Sequence, residues 1–278
     1  MAFPAWLKNL RSRLRRPPRV NVLRLDGVIG ARGRFQKGLS IETTAGLIER
    51  AFSGPRLKAV AIVVNSPGGS PAQSSLIHDR IRALSAEKKV PVIAFVEDVA
   101  ASGGYWIACA GEEIHVQPSS IVGSIGVVSP GFGFVEAIAK LGIERRLHAS
   151  GENKAILDPF LPEDPEDVAR LEALQKDIHD LFIAHVKHRR GQRLNDVDGD
   201  LFTGAFWTGE GARLRGLVDG IGEVREVMRG RFGEKVKLEA IRAERGLLAR
   251  FGLAGSSRWA SEIGEALEIR GLWGRFGL

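Results

Sequence analysis

Residues 57 to 66, LKAVAIVVNS, run almost without a polar side chain from Ala59 to Val64. A strand with one wet face alternates apolar and polar residues. A strand apolar at consecutive positions must be covered on both faces, as in a parallel sheet layered between helices. VPVIAFVE at 90–97 repeats the pattern, and the polar-apolar stretch from Ser74 to Lys88 between them reads as a helix. Strand, helix and strand in that order make a β-α-β unit with a right-handed crossover. This predicts an α/β fold built on a mostly parallel sheet.

The rest of the chain fits around that unit. VNVLRLDGVI (20–29) reads as the opening strand, residues 40–52 as a helix, 103–110 as a second short helix and EEIHVQP (112–118) as a further strand. Pro165 to Arg190 is predicted to be one long helix with Val168, Leu171, Leu174, Ile178, Leu181, Phe182 and His185 on one side. Residues 212–228 suggest a helix-turn-strand piece that closes the core. At 278 residues the chain is long enough for a full core, which divides into an N-terminal arm (1–19), a main domain (20–235) and a C-terminal extension (236–278). A single cysteine, Cys109, in an apolar run forms no internal disulfide and reads as a buried small hydrophobe.

Net charge narrows the partners. Of the formal +7, six basic side chains and no acidic ones fall in residues 1–19, leaving +1 for the remainder. A nucleic-acid-binding body needs a basic face on the folded domain, so no nucleic acid is expected. In the arm, Phe3, Trp6, Leu7, Leu10 and Leu14 recur at helical spacing beside Lys8, Arg11 and Arg15, until Pro17 and Pro18 stop the helix. No stretch reaches the roughly 20 apolar residues that span a bilayer. A basic amphipathic helix of this kind suits peripheral contact with an anionic membrane, with a solvated arm as the alternative. The tail carries Trp259, Ile263 and Leu267 at four-residue spacing and ends in Leu272, Trp273, Phe276 and Leu278, fit to dock on a neighbouring subunit or a membrane.

Three glycine-bearing turns follow strands: NSPGGS (65–70), AASGGYW (100–106) and VGSIGVV (122–128). Turns at the carboxyl ends of parallel strands line the ligand crevice. Ser102 stands where strand becomes helix, flanked by alanines and glycines, as a nucleophile approached by a substrate backbone would. Gly68 and Gly69 leave room for that approach, and their N–H groups can face a developing oxyanion. A serine nucleophile needs a base. None of His78, His115, His148, His179, His185 and His188 lies in a loop returning to Ser102. Lysine is the other option, provided burial lowers its pKa from about 10.4 toward neutrality.

SPGG, AASGGYW, GSIGV, KAILDPF and WTGEGARLRGLVDGIG, in this order over residues 20 to 228, resemble the S49 peptidases of the signal peptide peptidase A type. The resemblance implies a ClpP/crotonase-like fold and a Ser-Lys dyad. Ser102 is then the nucleophile, Lys154 the general base and Ser124 the hydroxyl that positions the lysine. Gly69, with Gly68 and Gly103 beside it, supplies the oxyanion hole. Glu152 and Asp158 stand close to Lys154 in sequence, and a facing carboxylate would make it a worse base. The resemblance further implies no cofactor or metal, an extended apolar peptide as substrate and a homo-oligomer whose neighbouring subunits complete each site.

The expected activity is therefore a serine endopeptidase acting on apolar peptides such as signal-peptide remnants. Cleavage of membrane-protein tails of the stomatin-substrate kind is one alternative, and a crotonase-like acyl-CoA hydrolase or isomerase another. The acyl-CoA reading leaves Ser102 and Lys154 without a purpose. Members of the type carry an N-terminal transmembrane helix where this chain has only the basic arm. The expected location is cytoplasmic, or peripheral on the cytoplasmic face of the inner membrane.

Overall fold

The computed structural model describes residues 17–30, 38–196, 198–242 and 270–278. The amphipathic pattern from Phe3 to Leu14 and the Trp259, Ile263 and Leu267 spacing lie outside these residues.

The apolar run becomes strand β2 (Leu57–Ser66), whose last eight residues are all buried. It lies parallel between β1 (Arg19–Asp26) and β3 (Val92–Ala101), while β8 (Lys237–Ile241) extends the sheet beyond β1 in the same direction. Alternate β2 residues enter different cores. Ile62 and Val64 face a large cluster with Ile77, Ile81, Tyr105 and Phe182, whereas Ala61 and Val63 face a smaller one with Ile93, Phe95 and Met228. Both faces are covered, as the unbroken apolar sequence requires.

Helix α1 (Ile41–Ala51) starts in a reciprocal cap between Ser40 and Thr43. Helix α2 (Pro71–Lys88) has Ser70 as its cap, with the Ser70 hydroxyl accepting from the Gln73 N–H, and Pro71 in its first turn. Strand β3 runs four residues past Glu97, the expected end, and stops at Ala101. It also changes partner on one side. Ile93–Val96 pair with β4 (Glu113–Val116), and Val99–Ala101 pair with β5 (Ile121–Gly123). Helix α3 (Gly103–Ala108) leaves β3 immediately, and the buried Tyr105 hydroxyl donates to the Leu217 carbonyl at 2.7 Å to anchor it.

Between β5 and the antiparallel edge strand β6 (Phe206–Thr208) the chain makes a long excursion. Its first half holds the short helix α4 (Val135–Lys140), and from Val127 to Asp164 no residue is buried. Phe134 and Phe160 stack at 5.5 Å, and the Phe134 N–H donates to the Pro159 carbonyl at 2.7 Å, so this arm folds on itself. Its second half is α5 (Pro165–Arg190), the predicted long helix. The predicted apolar face is corrected by the structure. Phe182, Val186 and Arg190 are buried, but Leu174 and Leu181 are 57% and 65% exposed. Val168, Leu171 and Ile178 are half-buried, so full burial is confined to the C-terminal end of α5, at Phe182, Val186 and Arg190.

After β6 come α6 (Gly209–Leu214), the two-residue strand β7 (Gly220–Ile221) on β4, and α7 (Val224–Phe232). The expected helix-turn-strand piece is present, with α7 added. Residues 270–278 return to the same chain. Phe276 packs with Val99, Ala101 and Ile121, and its ring meets Phe206 edge-on at 5.1 Å.

Candidate active site

Ser102 occupies the one-residue junction between β3 and α3, with φ 50° and ψ −122°. A positive φ is costly for a residue with a Cβ and survives only where the surroundings enforce it. Here they do. The Ser102 N–H donates to the Gly123 carbonyl at 2.8 Å, and its carbonyl accepts from the Trp106 N–H at 3.0 Å. The hydroxyl makes no cap bond to α3, so it is left for chemistry.

The NSPGGS turn lies directly on this junction. A Cβ on Gly68 would fall 2.8 Å from the Ser102 Cβ and 3.1 Å from the Gly103 nitrogen. A Cβ on Gly103 would fall 3.5 Å from the Gly69 nitrogen. The three glycines thus bring backbone to backbone where a substrate carbonyl would reach Ser102. Gly68 donates its N–H to the Ser66 hydroxyl at 3.2 Å, so its contribution is space. The Gly69 nitrogen, in the turn, and the Gly103 nitrogen, at the first position of α3, lie close to the Ser102 junction. Gly69 is fixed by the chain crossing it: the Ile29 N–H donates to the Gly68 carbonyl at 2.8 Å, and the Ser70 N–H donates to the Ile29 carbonyl at 2.9 Å.

Ser124 follows β5 on the adjacent side. It is 4% exposed, has φ 53°, and donates its N–H to the Ala205 carbonyl at 2.7 Å. Its hydroxyl takes no partner among the described residues. Ser102, Ser124, Gly68, Gly69 and Gly103 are therefore brought together by three neighbouring strand ends.

Lys154 is not brought to them. It lies exposed on the arm, with its N–H donating to the Gly151 carbonyl at 3.2 Å, and no hydrogen bond or ion pair joins its amine to any described residue. Of the two nearby carboxylates, Glu152 makes no ion pair with Lys154 and Asp158 is bonded elsewhere. Asp158 receives two hydrogen bonds from Arg145, at 2.8 and 3.1 Å, and one from the Phe160 N–H at 2.9 Å. Those bonds, Arg145 first, hold its carboxyl below the usual range.

The histidines do not supply a base to Ser102. His185 stacks on Trp106 at 4.5 Å and meets the His78 ring edge-on at 4.4 Å. Burial, helped by His78, pushes the His185 pKa down to about 4, and burial lowers that of His78 as well. His115 stacks on Phe95, and His179 bonds to the Ile125 carbonyl. Cys109 is fully buried, which drives its thiol up to about 11 and leaves it unreactive. Among the described residues, no group of three or more His, Cys, Asp or Glu side chains is placed to hold a metal ion.

Ser66 and Ser74 escaped the sequence reading. Ser66 secures Gly68, and its carbonyl lies 2.5 Å from where a Gly104 Cβ would be; the Ser74 hydroxyl lies 2.3 Å from where a Gly103 Cβ would be. Ser66 lies inside NSPGGS and Ser74 in α2 just beyond it, but nothing in a lone serine marks such a role.

Comparison with known proteins places the chain in a family. The model of Peptidase family S49 matches residues 85–237. A protein of Brucella abortus named Na(+)/H(+) antiporter NhaA is 48% identical over 292 aligned residues, covering 100% of this chain and 40% of its own length. Protease 4 of Salmonella typhi is 32% identical, covering 66% of this chain and 29% of its own length. The chain thus spans less than half the length of these relatives. A solved structure of a membrane-bound stomatin-specific protease, 1510-N, superposes with a TM-score of 0.50 at 17% identity, covering 82% of this chain and 99% of that one. That likeness concerns the fold.

Proposed function

The chain belongs to peptidase family S49, and we propose that it is a serine endopeptidase in which Ser102 attacks the peptide carbonyl and Lys154 is the base. The observation that carries this reading is the strained Ser102, its hydroxyl uncommitted, held against the Gly69 and Gly103 amides. The neutral Lys154 amine takes the hydroxyl proton as Oγ bonds to the carbonyl carbon. The carbonyl oxygen becomes an oxyanion facing the two amides, where fixed donors in a site closed to water stabilise it most. The protonated lysine then gives its proton to the departing amine as the C–N bond breaks. Water, deprotonated by the same amine, releases the acyl group from Ser102. Ser124 holds the lysine in reach.

Since one chain leaves Lys154 on an exposed arm, the reading includes a homo-oligomer in which the site is completed. Phe132, Leu141 and Ile143 on that arm are 83%, 73% and 55% exposed. Large apolar side chains left this exposed on one arm suit a protein contact, and a second copy is the occupant that would also order the lysine. The substrate is an extended apolar peptide, with signal-peptide remnants as the leading class. The basic arm at residues 1–19 supports peripheral attachment at the cytoplasmic face of a membrane. Among the described residues no helix is long and apolar enough to cross one. The antiporter name of the Brucella relative belongs to a protein of which this chain covers 40%.

A fluorophosphonate label read by intact mass tests the reading. One label per chain is expected on the wild type and none on Ser102→Ala, with apolar peptide cleavage lost in parallel. Equal labelling of both proteins, or cleavage by Ser102→Ala at the wild-type rate, would overturn it.

A further inference from the structure

We propose that His179 is a positioning residue for catalysis, holding the Gly123–Gly126 turn so that the Ser124 hydroxyl is aimed at the general base; this rests on the peptidase reading above. The turn is gripped from three directions. The Gly123 carbonyl accepts from the Ser102 N–H at 2.8 Å, and the Ser124 N–H donates to the Ala205 carbonyl at 2.7 Å. The third grip is His179, whose Nε2 lies 3.0 Å from the Ile125 carbonyl. Since a carbonyl only accepts, Nε2 carries the proton. Among the described residues this is the only side-chain hydrogen bond made to the turn.

The position of this bond gives it leverage. Ser124 has φ 53°, a conformation that needs support from both sides for a residue with a Cβ. The Ala205 contact holds the side before Ser124, and His179 holds the residue after it. Ile125 is itself 0% exposed, so its carbonyl would be left without a protein partner if the imidazole were removed. The Ser102 amide hangs on the same turn, so a shift at Ile125 reaches both hydroxyls. His179 is thus the point where α5 connects to the catalytic strand ends.

The test compares His179→Ala and His179→Gln with the wild type on an apolar fluorogenic peptide, each also in a Ser124→Ala background. His179→Ala should lower kcat at least tenfold with KM within twofold. His179→Gln, which keeps an N–H donor, should recover most of that loss. In the Ser124→Ala background, His179→Ala should cost less than a further twofold, because two residues acting through one hydroxyl are not additive. Should alanine fail to fold, His179→Met against His179→Gln carries the same comparison. A wild-type kcat in the donor-less variant would overturn the inference, and so would an equal loss in both backgrounds. Both results leave the peptidase reading standing where Ser102→Ala is inactive. Cleavage by Ser102→Ala at the wild-type rate would instead overturn that reading and this inference with it.

Discussion

Ser102 and Gly69 illustrate how a single residue is chosen by what its backbone must do. Gly69 has φ 137°, and a Cβ there would lie 2.0 Å from the Ile29 carbonyl oxygen. Neither the torsion nor the space admits a side chain. Gly69→Ala should therefore shift the amide away from Ser102 and lower kcat on the order of a hundredfold, the scale of losing one oxyanion donor. Peptide kinetics beside the labelling rate of Ser102 checks this, since both should fall. Lys154→Ala should abolish cleavage while circular dichroism stays that of the wild type, because the amine bonds to no other described residue. These residues differed in how far the sequence revealed them. Glycines and a serine directly after apolar strands are constrained by the sheet, so their meeting was legible. Lys154 stood out only through its KAILDPF context, because the arm around it has no core to fix its position.

At the scale of elements, a charged pair ties α5 to the β4 edge and a histidine pair ties it to α2. Arg190, 3% exposed, makes two hydrogen bonds to Asp219 at 2.7 and 3.0 Å. Burial opposes the charges, but the paired bonds outweigh it and hold the Asp219 carboxyl below its usual range. Asp219 also accepts from the Ile114 N–H at 2.8 Å, which joins α5 to the β4 edge. Arg190→Met leaves that carboxylate only the Ile114 N–H and the Arg193 guanidinium 3.7 Å away, and should cost about 3 kcal/mol in urea unfolding. His185 sets a pH dependence. It is neutral in the fold, with a pKa of about 4 against roughly 6.5 in the unfolded chain. Stability is then full above about pH 6.5 and falls as pH drops toward 4, where the unfolded state binds the extra proton. Asp79 favours the proton, while Arg189 and His78 oppose it. His185→Gln should flatten the thermal midpoint between pH 6.5 and 4.5 relative to the wild type. The length of α5 was plain from its spacing, but its buried face was not. Periodicity gives an apolar stripe without saying how much of it finds a surface.

For the whole molecule, the folded sheet and the bare arm make opposite demands. The sheet is closed over on both faces, whereas the arm leaves Phe132, Leu141 and Ile143 in water. Phe132→Glu combined with Leu141→Glu should shift the protein to monomer in sedimentation velocity. Peptide turnover should fall by more than tenfold, while the thermal midpoint of the monomer stays unchanged. An unaltered sedimentation coefficient with unaltered turnover would mean that the arm faces solvent in the working enzyme. The parallel sheet was legible because its strands are apolar on every position. The bareness of the arm was not, because exposure is a property of the folded chain and cannot be read from composition.

The excursion carrying the arm and α5 leaves and rejoins the sheet at one place. Gly123 is the direct partner of Phe206, and the Ser124 N–H donates to the Ala205 carbonyl just outside that pair. Within that excursion the arm from Val127 to Asp164 has no buried residue, so the strands do not register the arm's length. Lengthening a closed loop costs little, about 0.6 kcal/mol for each doubling. The arm from Val127 to Asp164 is therefore an exchangeable cassette. Swapping it between relatives would carry Lys154 and its surroundings along, so assembly and the proposed base should change together, while Ser102 at the end of β3 passes unaltered from one chimera to the next.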